Sequence, residues 1–350
     1  MAKEKEKVSD LEKKYGKSAF VSMEDFFAEK KTKDIISVSP KIDMILGGGI
    51  PEGSFVIFAG PPKVGKSVTS LHFAANAQAL GRKVYYLDIE GRLKERDLRG
   101  IPKLQGGDKF EIIKSYRDED KNESKILLAH EYLEIAERKI KEEPGCVIII
   151  DSASQLLTET ESDGDLGQQH RAPGAVLLAQ FCKRVSNVIP INGSVVIMIV
   201  HIVANTGGGM KKKSRTGGNK IQYAVDVDLE CLYTERWKVG GSADDDDSGV
   251  EIGKKVHWVT GSTAIAPPGM KTVSYLRYGI GIDETYELWD LGKTLSLVER
   301  SGAWYRLAFL DDTEYKMEKK IQGEENAMEY MNEHPEFLPI LRAKVKELTI

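Results

Sequence analysis

The chain has 350 residues, 41% hydrophobic and 30% charged, with 54 acidic against 50 basic side chains and a net charge of −4. These values describe a globular protein with one large core and smaller appendages; they exclude a membrane-spanning chain and leave nucleic-acid binding to local patches rather than to overall charge. Three cysteines, Cys146, Cys182 and Cys231, sit apart among apolar neighbours and six histidines form no ligand-spaced cluster, so neither a disulfide framework nor a transition-metal site is expected.

The start, Met1-Ala2-Lys3-Glu4-Lys5-Glu6-Lys7, is not a secretory signal, and a reducing, cytoplasmic setting is expected. Residues 3–15 set charges around Val8, Leu11 and Tyr15, spacing that fits a short amphipathic helix ending at Gly16 or a frayed, solvated terminus. The core is expected from about Ile35. Ser39 can cap a helix with Pro40 at its first position, running through Leu46 and closed by Gly47-Gly48-Gly49. Apolar runs at 54–59, 84–87, 146–150 and 195–200 then alternate with helix-like segments. Continuous hydrophobicity predicts strands buried on both faces of a mostly parallel sheet.

The first run leads into Gly60-Pro61-Pro62-Lys63-Val64-Gly65-Lys66-Ser67-Val68, followed by a helix-like stretch. This is G-x-x-x-x-G-K-[ST] in a strand-to-helix setting, where backbone N–H groups and a helix N-terminus wrap a polyphosphate, so ATP or GTP is the expected ligand. Lys66 would reach the outer phosphates and the Ser67 hydroxyl would hold Mg²⁺. Asp151, closing the run 146–150, stands where a Mg²⁺ ligand is needed; the plainer reading is a carboxylate at a strand end. Hydrolysis also needs a group that orients and deprotonates water. Glu90 is the candidate base and Asp88 its rival. His201, just past the last core run, either contacts the terminal phosphate or is a satisfied strand-end histidine.

Two polar, glycine-rich segments follow strand ends. One spans 161–174 and carries Arg171; the other, 202–220, holds Lys211, Lys212, Lys213, Arg215 and Lys220. Either could be a solvated loop, and the second could close on a phosphate backbone. Were the preceding strands neighbours, both loops would share one DNA-facing surface. From Ala224, Val225, Val227, Leu229 and Cys231 alternate with Asp226, Asp228 and Glu230, predicting a strand with one wet face towards the sheet edge. Antiparallel hairpins should continue it across the acidic turn at 244–247 and Pro267-Pro268-Gly269. Residues 326–345 have helical spacing and suggest a small C-terminal module.

The phosphate loop, Asp88-Ile89-Glu90-Gly91, the run ending Asp151-Ser152, Thr216-Gly217-Gly218-Asn219 and Glu299-Arg300-Ser301-Gly302-Ala303-Trp304-Tyr305 occur in one order. That ordered set resembles the RecA family of recombinases, including its phage branch typified by UvsX. The resemblance implies an α/β fold: a RecA-like P-loop ATPase core (35–285) with a mostly parallel central sheet, an N-terminal oligomerisation segment (1–34) whose helix docks on a neighbouring subunit, and a small C-terminal α/β domain (286–350). It implies a DNA-dependent ATPase, using ATP and Mg²⁺, that forms a helical homo-oligomeric filament on single-stranded DNA, pairs homologous double-stranded DNA and exchanges strands. Single-strand-binding and loading proteins are further partners in such a reading, and no membrane is involved.

Carried over by position, residues 60–68 bind nucleotide, Glu90 and Lys66 are catalytic, Ser67 and Asp151 hold Mg²⁺, and His201 senses the terminal phosphate where bacterial members have glutamine. Segments 158–174 and 202–219 resemble the two DNA-binding loops. This makes Arg171, Val203, Met210, Lys211, Lys212, Lys213, Arg215, Thr216, Gly217, Gly218 and Asn219 the DNA-binding candidates, with Val203 or Met210 as apolar wedges. The chain departs from the family in three places. Residues 92–98 lack the aromatic that stacks on adenine; 259–267 lack a pair of interface lysines, for which Lys254, Lys255 or Lys271 are substitutes; and the second loop has no aromatic residue. The alternatives are a RecA-core hexameric helicase motor or recombination mediator without strand exchange, and a non-enzymatic ATP-gated DNA coat.

Overall fold

The computed structural model describes residues 10–28, 33–164, 173–204, 213–215, 225–240, 249–317 and 319–349. They belong to two compact units, Met1–Asp34 and Ile35–Ile350. In the first, residues 10–15 are helical, a 3₁₀ turn follows at Lys17–Ala19, and α1 spans Met23–Ala28. Leu11, Tyr15 and Met23 are exposed there.

The second unit opens with β1 (Ile35–Ile36), α2 (Pro40–Leu46) and β2 (Ile50–Pro51). The Ser39 hydroxyl accepts the Ile42 N–H and Gly47 ends α2 in the left-handed region, as the capping signals require. Then come β3 (Phe55–Gly60), α3 (Lys66–Ala79), β4 (Val84–Asp88), α4 (Glu95–Gly100), β5 (Phe110–Ile113), the hairpin β6 (Tyr116–Asp118) and β7 (Glu123–Lys125), and α5 (Ala129–Glu142). β8 (Val147–Asp151), α6 (Glu159–Ser162), α7 (Pro173–Val185), α8 (Val188–Asn192), β9 (Val195–Ala204) and β10 (Lys213–Arg215) follow. The chain continues through β11 (Val227–Val239), β12 (Val250–Thr260), β13 (Lys271–Arg277), β14 (Gly281–Ile282) and α9 (Glu284–Thr294). It ends with β15 (Glu299–Ser301), β16 (Trp304–Arg306), β17 (Ile321–Gln322), α10 (Glu324–Glu333) and α11 (Phe337–Thr349).

One large sheet runs β14-β13-β12-β11-β3-β9-β8-β4-β5, with β10 paired to β9. From β11 to β5 the pairs are parallel, whereas β11, β12, β13 and β14 pair antiparallel. Neighbouring residues on a core strand point to opposite sides, and both sides are covered. Val56 and Phe58 join one apolar cluster with Leu71 and Phe73 of α3; Phe55, Ile57 and Ala59 join the other with Tyr132 of α5 and Phe181 of α7. That double burial explains the continuous apolar runs. A third cluster gathers Leu288 and Trp289 of α9, Tyr305 of β16, Met331 of α10 and Leu341 of α11. The three cysteines are buried, and none is in a disulfide. No described helix is long and apolar enough to cross a membrane.

Two expectations change. β11 is not near an edge: it sits between β3 and β12, at the switch from parallel to antiparallel pairing. Its acidic alternates do not line a wet face there. The Asp226 carboxylate just before the strand accepts the Phe55 N–H at 2.8 Å, and Asp228 is 6% exposed. The second change concerns β9, which extends to Ala204, so His201 and Val203 lie inside a strand whose end pairs Ile202, Val203 and Ala204 with Arg215, Ser214 and Lys213. The acidic turn at 244–247 lies outside the described residues.

Candidate active site

The phosphate loop joins the buried β3 to α3. Gly60 (φ +152°) runs so close to β11 that a Cβ would stand 2.9 Å from that of Cys231, and one on Gly65 (φ +105°) would meet Leu276 Cδ1 at 2.2 Å. Both positions therefore need glycine. The Lys66 ammonium donates to the carbonyl oxygens of Gly60 (3.0 Å) and Pro61 (2.6 Å). Burial pulls its pKa down, while Asp151, Cys231 and Glu90 oppose the shift.

Asp88 and Asp151 are register partners on β4 and β8, and His201 of β9 pairs with Gly60 of β3, so parallel pairing brings these strand ends together. Each carboxylate has distinct partners. Both Asp88 oxygens hold the following turn, accepting the Arg92 N–H (3.1 Å) and the Leu93 N–H (3.2 Å). Glu90 accepts the Ser152 hydroxyl at 2.8 Å, lies 3.4 Å from His201 Nε2 and pairs with Arg92 at 3.3 Å. Asp151 accepts the Tyr86 phenol and interacts with the Ser67 hydroxyl; burial raises its pKa, and the like charges of Glu90 and Asp88 raise it further. Burial also lowers the His201 pKa, helped by the Lys66 charge and opposed by Glu90 and Asp151. The His201 N–H donates to Ser154 Oγ at 2.8 Å.

These groups line a cavity of about 440 Å³ that contains Lys66, Ser67, Glu90, Asp151 and His201. Among the described residues no three His, Cys, Asp or Glu side chains form a metal-binding cluster. Ser67 beside Asp151 instead fits a hard cation that takes only one or two protein ligands and keeps phosphate oxygens and waters as the rest. A second cavity of about 480 Å³ adjoins the first, sharing Lys63, Gly65, Val68, Arg96 and Asp97, and adding Gly100, Lys254 and Tyr278.

The remaining sequence candidates divide in two. Backbone alone is described for Val203, Lys213 and Arg215, which meet in the β9–β10 pairing. Arg171, Met210, Lys211, Lys212, Thr216, Gly217, Gly218 and Asn219 lie outside the described residues. The strands preceding the two glycine-rich segments, β8 and β9, are adjacent and parallel. Of the substitutes for the missing lysines, Lys254 lines the second cavity of its own chain. Tyr86, Ser152, Ser154 and Tyr278 escaped the sequence reading. Tyr86 alone had a signal: it lies two residues before Asp88, on the same side of β4.

Residues 3–283 match the family described as RecA N-terminal domain, and residues 286–349 the family described as RecA C-terminal domain. "Protein RecA" of Acholeplasma laidlawii is 31% identical over 342 residues, covering 97% of this chain and 94% of that protein. "Protein RecA" of Limosilactobacillus reuteri is 29% identical over 341 residues, covering 97% of this chain and 86% of that protein. "Protein RecA" of Geobacter metallireducens is 28% identical over 357 residues, covering 99% and 96%.

Proposed function

This chain belongs to the RecA family, and we propose that its nucleotide chemistry is carried by Lys66, Ser67, Glu90, Asp151 and His201. The chain is a DNA-dependent ATPase of homologous recombination and repair, acting as an ATP-dependent, filament-forming strand-exchange protein. A ring motor or a DNA coat without turnover does not account for recombinase matches along almost the whole chain.

The observation that carries the finer reading is the Ser152–Glu90–His201 contact, in which the base candidate is held by the residue that follows β8 and by His201 of β9. Residues 60–68 wrap the triphosphate, and Lys66 moves its hydrogen bonds from loop carbonyls to the outer phosphates. Ser67 and Asp151 would hold Mg²⁺, which when bound would supply positive charge against the phosphate oxygens. Glu90 orients the attacking water and takes its proton; Ser152 and His201 fix the carboxylate that does so. Asp88, with both oxygens engaged by backbone, is structural.

His201 then connects the nucleotide to DNA. It lies on β9, which leads into the segment 202–219 and pairs with β8, the strand that precedes the segment 158–174, and we assign these two segments as DNA-binding loops. ATP thereby biases the loops towards their DNA-binding arrangement, and hydrolysis releases them. The basic residues of 211–215 supply phosphate contacts on single-stranded and homologous duplex DNA. Residues 1–34, with exposed Leu11, Tyr15 and Met23, dock on the next subunit; 35–285 form the core and 286–350 the C-terminal domain. The adenine occupies the 480 Å³ cavity, where Tyr278 offers an aromatic surface that residues 92–98 lack. The histidine at 201 favours the phage, UvsX-like branch, working in cytoplasm with loading proteins.

The test is Glu90→Gln. ATP and single-stranded DNA binding should persist, with filaments in negative stain, while DNA-stimulated hydrolysis falls roughly 10²- to 10⁴-fold. Hydrolysis at the parental rate would remove Glu90 from the mechanism.

A further inference from the structure

The helix that carries Lys66 and Ser67 is also fastened to the wall of the second cavity, through a side chain far from the phosphates. His72 lies on α3, one turn beyond Val68 on the same face, and is 4% exposed. Its Nε2 stands 2.7 Å from the Ile282 nitrogen and 3.2 Å from the Ile280 oxygen. A backbone amide can only donate, so Nε2 accepts and the ring proton sits on Nδ1. Burial lowers the ring's pKa and so favours its neutral form, against the opposing pull of the Ile280 carbonyl.

The turn held in this way is wedged tightly. A Cβ on Gly281 (φ +77°) would fall 2.4 Å from His72 Nε2, and one on Gly100 would fall 2.4 Å from the Gly279 oxygen. The segment from Tyr278 to Ile282 is thus clamped between α3 and α4 by glycine contacts and by one side-chain hydrogen bond. Tyr278, Gly279 and Gly281 line the 480 Å³ cavity together with Lys63 and Gly65 of the phosphate loop.

We propose that His72 is a positioning residue for the nucleotide base, fixing the spacing between the phosphate loop and the Tyr278–Gly281 wall through the Ile282 amide. The proposal rests on the reading that the base occupies this cavity. One rigid helix then sets both ends of the nucleotide site: its N-terminus carries the phosphate ligands, and His72, about 9 Å further along, anchors the wall against which the base lies.

His72→Phe in the full chain keeps a ring but removes the acceptor, leaving the Ile282 N–H unpaired. ATP affinity should fall about tenfold, measured by displacement of a fluorescent ATP analogue, while inorganic tripolyphosphate with Mg²⁺ should compete as before. His72→Gln, whose amide oxygen can accept from Ile282, should restore ATP affinity. Equal weakening of both ligands, no weakening of either, or a selective loss that His72→Gln does not restore each overturns the proposal. If His72→Phe does not fold, His72→Asn takes its place: its acceptor is too short to reach Ile282, and the same selective loss is expected. Tyr278→Ala tests the underlying reading. A fall in ATP affinity relative to tripolyphosphate there, without one in His72→Phe, leaves the base cavity standing and removes His72; an unchanged ratio in Tyr278→Ala removes the base cavity itself.

Discussion

Asp151, half-buried, and Glu287, buried, are both carboxylates whose pKa is raised mainly by desolvation, yet they belong to regions built for opposite purposes. Glu287 on α9 is fully enclosed and fully occupied. One oxygen accepts the Ser274 hydroxyl and the Tyr275 N–H (3.1 Å), and the other accepts the Lys41 N–H (3.0 Å), so α2, β13 and α9 are joined through it. Lys41 Nζ meanwhile pairs with Asp290 at 2.5 Å. Asp151 shares its surroundings with the like charges of Asp88 and Glu90 and opens onto a 440 Å³ cavity. Burial is common to both regions. What separates them is whether the donors around the carboxylate are already satisfied within the fold or leave charge to be met by a ligand.

Substitution should therefore cost function in one region and stability in the other. Lys66→Ala has the largest expected effect: loss of the charge-assisted phosphate contact proposed for it should weaken ATP binding by a factor on the order of 10² or more, with an unchanged circular-dichroism spectrum. A melted fold would erase the contrast, because Lys66 would then be as structural as Lys41. Glu287→Ala comes next. It strands three donors at the α2–β13–α9 joint and should lower unfolding free energy by about 3–5 kcal/mol, while the ATP dissociation constant at low temperature stays within about twofold. Weakened nucleotide binding in a still folded Glu287→Ala protein would show that the joint and the pocket are one system.

The two regions were also unequally legible. The phosphate loop is local: Gly60, Gly65, Lys66 and Ser67 fall within eight residues, and the buried strand before them is visible as an apolar run. Glu90, Asp151 and His201 could be proposed because each follows such a run and parallel strand ends converge. Ser152 and Ser154 could not, since their partners Glu90 and His201 become neighbours only through the order β9-β8-β4. The position of β11 was misread for a related reason. Alternation in Val225–Cys231 looks like one wet face, but Asp226 spends its charge on the Phe55 amide across the sheet. The joint was invisible. Glu287 reads as an ordinary polar residue of an amphipathic helix, and its partner Lys41 is 246 positions away.

The smallest expected effect sharpens the contrast through pH. Asp43, at the edge of the joint, accepts the Val38 N–H (2.8 Å) and the Ser37 hydroxyl (2.5 Å), and burial pushes its carboxyl up to about 7 despite those bonds. Glu287 adds repulsion and Arg342 attraction; neither outweighs desolvation. Below the ordinary aspartate value both folded and unfolded chains hold the proton. As pH rises from about 4 to 7 the unfolded chain releases it first, so this residue alone should lower stability by at most about 1.4 kcal/mol per pH unit, levelling off above 7. Asp43→Asn is uncharged throughout and can keep the Val38 bond through its amide oxygen. Its urea midpoint should gain on the parent steadily between pH 5 and 7, with no change in the pH profile of ATP hydrolysis. Parallel stability profiles would mean that Asp43 ionises normally inside the fold. A shifted hydrolysis profile would mean that the structural carboxylates communicate with those of the proposed nucleotide site after all.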